Sequence, residues 1–470
     1  MSSLPVAEES TAPARARPTW FYALALPSGG RRTLALAWLW LAVAALAASG
    51  VFSILLVVAR APGLQHLFPS AEFFRVALVV HVDLSVLVWF GSFAAVLWSI
   101  ASRPRWLPLG FVAFGLAAVG TFVLAVAPFL DPGAPVMANY VPMLDSGTFI
   151  AGLLIFGLGF GLAALRALAV PERVGVLLAP DGALRFGLNA AAVAAAMTIG
   201  ALVWSWSALA RELALRDYYE LLYWGPGHVL QFCWTLVMLV AWLWLASLAG
   251  ARVPLSPRVT VLLFGIGLAA VFATPAIYLA WPVAAVEFQK LFTWQMRFGG
   301  GLAIAPVVAA IALGLARAQR VTRAHRPARA ALLASVLLFS AGGAIGFLIQ
   351  GSDVRIPAHY HGCIVGITLA LMGLTYALLP HLGFTRPLPR LANWQPWLYG
   401  GGQLLHIIGL VWSGGYGVQR KVAGAEQVLR STAEVAGMGL MGLGGLIAVA
   451  GGFAFAVVVL GALRGRGAGA

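Results

Sequence analysis

The chain has 470 residues, of which 61% are hydrophobic and only 10% charged, with a mean hydropathy of +0.92. So few polar residues exclude an ordinary soluble domain and point to a membrane protein. The net charge of +15 would suit nucleic acid, but the basic residues are spread over short loops instead of forming one basic face, so no nucleic-acid partner is expected.

Residues 1–32 are polar and contain proline and arginine, without the apolar core and small-residue cleavage site of a signal peptide, and are expected to form a cytoplasmic tail. About twelve apolar runs follow, each near or above the roughly 20 residues that cross about 30 Å of hydrocarbon. They begin near Leu34, Phe73, Leu107, Gly147, Phe186, Trp224, Val259, Trp294, Ala330, Ala358, Trp397 and Ala433. No connecting stretch is long enough for a second domain. The expectation is therefore an all-α polytopic bundle over residues 33–463, with a short cytoplasmic tail over 464–470. Glycine-rich runs such as GMGLMGLGG in the last span read as close helix packing.

With the N-terminus inside, the inner loops hold Arg103 and Arg105, then Arg166, Arg173 and Arg185, then Arg252 and Arg258, the run 317–329, and Arg386 with Arg390. Together with both tails they carry about twenty of the thirty basic residues, as the positive-inside rule expects. The chain is read as N-in and C-in, with even-numbered spans entering from the outer face.

Of eight histidines, His81, His228, His359 and His361 lie in strongly apolar segments. An unpartnered imidazole is costly in hydrocarbon, so these residues suggest cofactor or metal ligands. On the topology above all four fall in the outer half of the membrane. Residues two apart on a helix point about 200° away from each other, so His359 and His361 can serve two different cofactors. His81 is available as a second axial ligand for one of them. A bis-histidine iron suits electron transfer, whereas an iron with one histidine keeps a face open to a small ligand; His228 could stand on that face. His406 and His381 read as makers of structural hydrogen bonds, and His66 and His325 lie in loops. Asp83 belongs either to a proton path or to a polar contact between helices. Cys233 and Cys363 fall inside spans, so neither a disulfide framework nor a covalent haem attachment is available.

The segments HVDLSVLVWF, YWGPGHVLQF and PAHYHGCIVG together resemble the catalytic subunit (subunit I) of the haem-copper oxidase superfamily, which includes respiratory oxygen reductases and nitric oxide reductases. The likeness covers essentially all twelve spans. It implies that His81 and His361 ligate a low-spin b-type haem, that His359 is the proximal ligand of a high-spin haem, and that His228 ligates a non-haem metal facing it. It also implies that Arg420 and Lys421, in GGYGVQRK, hold haem propionates, a task for which cationic side chains are suited. A chain of this kind would sit in the bacterial inner (cytoplasmic) membrane. It would take electrons from a partner subunit or cytochrome on the outer side and reduce a gas, nitric oxide or oxygen.

The sequence departs from that family at two places. The adjacent histidine pair expected on the seventh helix is absent, and alignment on Thr274 and Pro275 puts its position near Leu279 and Ala280. One histidine alone is a poor copper site, so copper is not expected. Phe232 stands where many oxygen reductases have a tyrosine, which leaves Tyr278 as the candidate catalytic tyrosine. Glu287 follows the altered ligand region and is the candidate carboxylate, both as a catalytic group and as a partner of His228 on a non-haem metal, with Asp353 and Glu220 also near the outer face. The favoured expectation is a dihaem gas reductase; a non-catalytic dihaem electron-transfer subunit and a polytopic transporter are the alternatives, and two histidines on opposite faces of one helix argue against the transporter.

Overall fold

The computed structural model describes residues 20–67, 71–131, 133–318 and 321–464. Most of the two expected tails, residues 1–19 and 465–470, therefore lies outside the described residues. Twelve long helices account for most of the described residues, as the run of apolar segments demands. They are α1 (Gly30–Val58), α2 (Glu72–Ala101), α3 (Leu107–Leu130), α4 (Gly147–Ala169), α5 (Pro180–Ala208) and α6 (Leu215–Leu248). After them come α7 (Pro257–Ala280), α8 (Val286–Ala316), α9 (Arg326–Gly346), α10 (Arg355–His381), α11 (Pro389–Gly415) and α12 (Thr432–Arg464). The protein is an all-α polytopic membrane protein.

Several helices start well before their apolar runs. The sixth, expected near Trp224, begins at Leu215, and the eleventh, expected near Trp397, begins at Pro389. Hydropathy marks only the stretch matched to hydrocarbon, whereas backbone hydrogen bonding continues through polar turns such as RDYYE. Eleven of the twelve are long and apolar enough to cross a membrane by composition alone. The other is α11, whose Arg390, Asn393, Gln395, Gln403 and His406 lower its hydropathy.

Helix starts follow local chemistry. Ser146 caps α4 by accepting from Phe149 N at 3.2 Å, and Ser256 caps α7 by accepting from Val259 N at 3.3 Å. Proline occupies the first turn of α5, α7 and α11, where its missing N–H costs nothing. Between α3 and α4 the chain forms a hairpin of β1 (Ala134–Val136) and β2 (Met143–Asp145), in which Ala134 faces Asp145 and Val136 faces Met143.

Several consecutive helices pack against each other, α3 with α4, α5 with α6, α9 with α10 and α11 with α12, most closely where glycines meet. A Cβ on Gly444 of α12 would run into the backbone of Gly402, Leu405 and His406 on α11. A Cβ on Gly342 of α9 would stand 2.7 Å from the carbonyl carbon of Gly362 on α10. Small residues let backbones approach in this way where no hydrophobic driving force separates protein from lipid.

The centre of the bundle is occupied by α2, α6 and α10. Their most apolar stretches are 83–89% buried, against 28–50% for the other eight span candidates. These three are the helices that carry His81, His228, His359 and His361. Helix α2 also contains a π-helical turn over Asp83–Val88, directly after His81, and α8 contains another over Gln295–Gly299; such turns break the helical register and recur at functional sites.

Candidate functional site

His81 is held on α2 by Ser49 of α1. Its Nδ1 lies 2.9 Å from Ser49 Oγ and 3.1 Å from Ser49 O, while the same hydroxyl donates to His81 O at 3.0 Å. A carbonyl can only accept, so a hydrogen shared with Ser49 O sits on Nδ1, and in the neutral ring Nε2 keeps its lone pair. His361, on α10, has Tyr360 and His406 against its ring, at centroid distances of 5.2 and 4.9 Å, and His81, His406 and Arg60 as charged or titratable neighbours. His406 makes the structural hydrogen bond expected of it, from Nδ1 to Met441 O at 2.9 Å, across the close α11–α12 contact. Its packing on His361 was not legible in the sequence, since the two residues are on different helices. His381, by contrast, is exposed at the end of α10 and has no side-chain hydrogen bond among the described residues.

His359 is oriented by α9. Its Nδ1 donates to Gly342 O at 2.8 Å, and a Cβ on Gly346 would stand 2.8 Å from that nitrogen. Glycine at position 346 therefore gives the ring its place. As with His81, the carbonyl fixes the tautomer and leaves Nε2 open, the arrangement usual for a metal-ligating histidine.

His228 is different. It is 1% exposed on α6, with Trp224 and Phe292 at ring distances of 5.0 and 6.1 Å. Its Nδ1 donates to Trp224 O at 2.7 Å, and its Nε2 lies 2.9 Å from the hydroxyl of Tyr140, which comes from the α3–α4 hairpin. Two glycines on either side of Pro226 make room for two tyrosines. A Cβ on Gly227 would collide with Tyr140, and one on Gly225 would stand 2.6 Å from the hydroxyl of Tyr278. Tyr278 itself lies 2.7 Å from Ser205 Oγ and donates to Ala201 O at 3.0 Å, with Phe292 at a ring distance of 5.7 Å. The structure thus bonds Tyr140, and not Tyr278, to His228.

Glu287 is not brought to His228 either. It lies exposed in the first turn of α8, while Phe288 and Phe292 of the same helix are buried. Adjacent helical positions are about 100° apart, so a helix that turns those rings inward turns Glu287 away. Phe232 is buried, 3.6 Å from the position a Cβ on Gly299 would take. Among the described residues no three His, Cys, Asp or Glu side chains converge on one point. The expected non-haem metal site on His228 and Glu287 therefore does not fit this geometry: one ligand has both nitrogens engaged and the other faces away.

At the outer end of the site, Arg420 donates to Asn139 Oδ1 at 3.1 Å and Ser352 Oγ at 3.3 Å. Lys421 donates to Met137 O at 2.5 Å and Asn139 Oδ1 at 3.1 Å. Asn139 in turn gives its backbone N–H to Glu220 at 3.0 Å and its side-chain amide to the other carboxylate oxygen, so Glu220 serves the hairpin. Asp353 is paired with Arg355 at 2.6 Å. Burial lowers the Lys421 ammonium to about 8; Arg420 and Arg216 push the same way, and Glu220 opposes them.

A third cation, Arg60, escaped the sequence reading. It follows α1 and donates to Gln427 Oε1 at 3.3 Å and Gln419 O at 3.4 Å. Burial lowers its guanidinium to about 10, with Tyr360 acting in the opposite direction, so it stays charged at neutral pH. The signal that could have revealed it is its place: on the expected topology an arginine at the far end of the first span runs against the positive-inside pattern. Asp83, finally, is 1% exposed, and its Oδ2 has no hydrogen-bond partner among the described residues, so that oxygen makes no polar contact between the described helices.

Two histidines with Nδ1 held and Nε2 open, beside His361 and below three cations that form no ion pair with a carboxylate among the described residues, suit an iron cofactor that carries its own carboxylates. Nine helices around the three that carry His81, His228, His359 and His361 place the protein among the membrane oxidoreductases. The chain belongs to the family described as Cytochrome C and Quinol oxidase polypeptide I, whose family model matches residues 33–453. An uncharacterised protein of Rickettsia prowazekii (strain Madrid E) is 30% identical, covering 91% of this chain and 95% of its own length. Another uncharacterised protein, from Aquifex aeolicus (strain VF5), is 28% identical and covers 76% of this chain and 88% of its own length. Among solved structures, a heme-copper terminal oxidase dimer shares the fold with a TM-score of 0.73 at 16% identity, over 93% of this chain and 84% of that one.

Proposed function

We propose that this chain is the dihaem catalytic subunit of a respiratory terminal reductase, which takes electrons from a cytochrome or partner subunit on the outer side and delivers them to nitric oxide or oxygen. The observation that carries this reading is the shared preparation of His81 and His359: each gives Nδ1 to a main-chain carbonyl and keeps Nε2 free on a helix at the centre of the bundle. His81 and His361 would hold one haem from two sides, and His359 would hold the other from one side. Haem supplies one-electron transfer where both axial positions are filled and a place for a small gas where one is open.

The chain's own residues do the rest. Ser49 and Gly342 fix the rings of His81 and His359, so little ordering remains to be done when the ligands engage. Arg60, Arg420 and Lys421 offer positive charge at the outer end of the site, where haem propionates need partners. An aromatic wall of the buried Phe232, Phe288 and Phe292 with the half-buried Trp224 keeps the surroundings of His228 apolar, which admits an uncharged gas and disfavours ions. The bacterial relatives favour the inner membrane as the site of action.

Turnover assays with each gas, using the purified chain and an artificial electron donor, test the reading. Reduction of either gas supports it. Two haems without turnover or gas binding would mean a non-catalytic electron-transfer subunit.

A further inference from the structure

A histidine binds a metal through a ring-nitrogen lone pair, and His228 has none to spare. Trp224 O is a pure acceptor, so the 2.7 Å contact puts a hydrogen on Nδ1 and makes Nε2 of the neutral ring an acceptor. The Tyr140 hydroxyl fills that position at 2.9 Å, with its ring centred 4.7 Å from the imidazole. The surroundings are shaped for this pair. Gly227 lacks the Cβ that would collide with Tyr140, and the neighbouring Asn139 is tied to Glu220, Arg420 and Lys421, which anchors the hairpin over α6.

The partners that a second metal would need are also missing from the places where they would stand. Alignment on Thr274 and Pro275 puts the histidine pair near Leu279 and Ala280, Phe232 stands where the resemblance places a tyrosine, Glu287 is exposed, and Glu220 is engaged by Asn139. A metal held by nitrogen needs several such ligands, and this chain offers one that is already satisfied.

We infer that the gas-binding centre of this chain works without a second metal, and that the hydrogen-bonded pair of Tyr140 and His228 takes its place as the polar contact facing the haem on His359. The inference rests on the reading of His359 as the ligand of that haem. It makes Tyr140 a residue of the gas site, contributed by a loop hairpin and not by any of the twelve helices.

The test uses the full-length protein purified with its haems. Elemental analysis should find iron equal to haem, with no copper, zinc or other metal at one per chain. The C–O stretching band of the carbon monoxide adduct should stay in place after treatment with a chelator. It should shift in Tyr140→Phe, which removes only the hydroxyl, and in Gly227→Ala, which displaces the tyrosine with its hydroxyl intact. One non-haem metal per chain, a band that moves on chelation, or a Tyr140→Phe protein with the wild-type band would each overturn the proposal while leaving the haem assignment standing. Absence of any carbon monoxide adduct would overturn the His359 reading and this proposal with it.

Discussion

At the scale of single residues, three of the histidines inside the bundle separate by what their Nδ1 and Nε2 atoms meet. His81 and His359 each lean on a carbonyl and keep a nitrogen open, whereas His228 is closed at both ends. Apolar context identified all three as unusual, because hydrophobicity is local to the chain. Their difference was not legible, because Ser49, Gly342 and Tyr140 reach them from other helices or from a hairpin. His361→Ala is expected to abolish the low-spin haem spectrum with helix content unchanged by circular dichroism; an intact low-spin spectrum would remove His361 as a ligand. Gly346→Ala should act on the other haem alone, since the added Cβ would press on His359 Nδ1 at 2.8 Å. The readout is loss of the gas-binding spectrum with the low-spin bands retained. Lys421 gives a pH signature. Its ammonium is depressed to about 8, so its hold on an anionic group is present below that pH and fades as pH rises through it. Haem transfer to an apoprotein acceptor should therefore quicken above about pH 8 in the wild type, and Lys421→Arg, which stays charged, should flatten that dependence.

Among the elements, the helices were the most legible part of the chain and their ends the least. Hydrophobic runs located all twelve, but RDYYE before α6 and PRLANWQ before the apolar part of α11 are helical for reasons of backbone hydrogen bonding that hydropathy does not report. The hairpin between α3 and α4 gave no warning of its role. Its Tyr140 contacts His228 88 residues away, a pairing that no local pattern encodes. The glycine seam of α11 and α12 was legible as close packing, and it also sets the His406 ring against His361. Gly444→Leu should force those helices apart at a cost of about 1–3 kcal/mol. The expected result is a lower thermal unfolding midpoint together with an altered low-spin haem spectrum, and a midpoint change with no spectral change would show that the seam and the His361 environment are independent.

For the whole molecule, the bundle places the helices of His81, His228, His359 and His361 where lipid does not reach and gathers Arg60, Arg420 and Lys421 at one end of them. The membership of the cytochrome c and quinol oxidase subunit I family was legible from three short segments, because they carry the histidines on which the resemblance rests. The Tyr140–His228 pair was not legible, since an absent histidine pair leaves open what fills its place. The measurement that bears most directly on the account is the haem content of the purified chain with its absorption spectrum before and after exposure to carbon monoxide and nitric oxide. Two haems per chain are expected, a low-spin b-type haem unchanged by either gas and a high-spin haem that binds both. A chain that purifies without haem, or whose haems all ignore both gases, would contradict this.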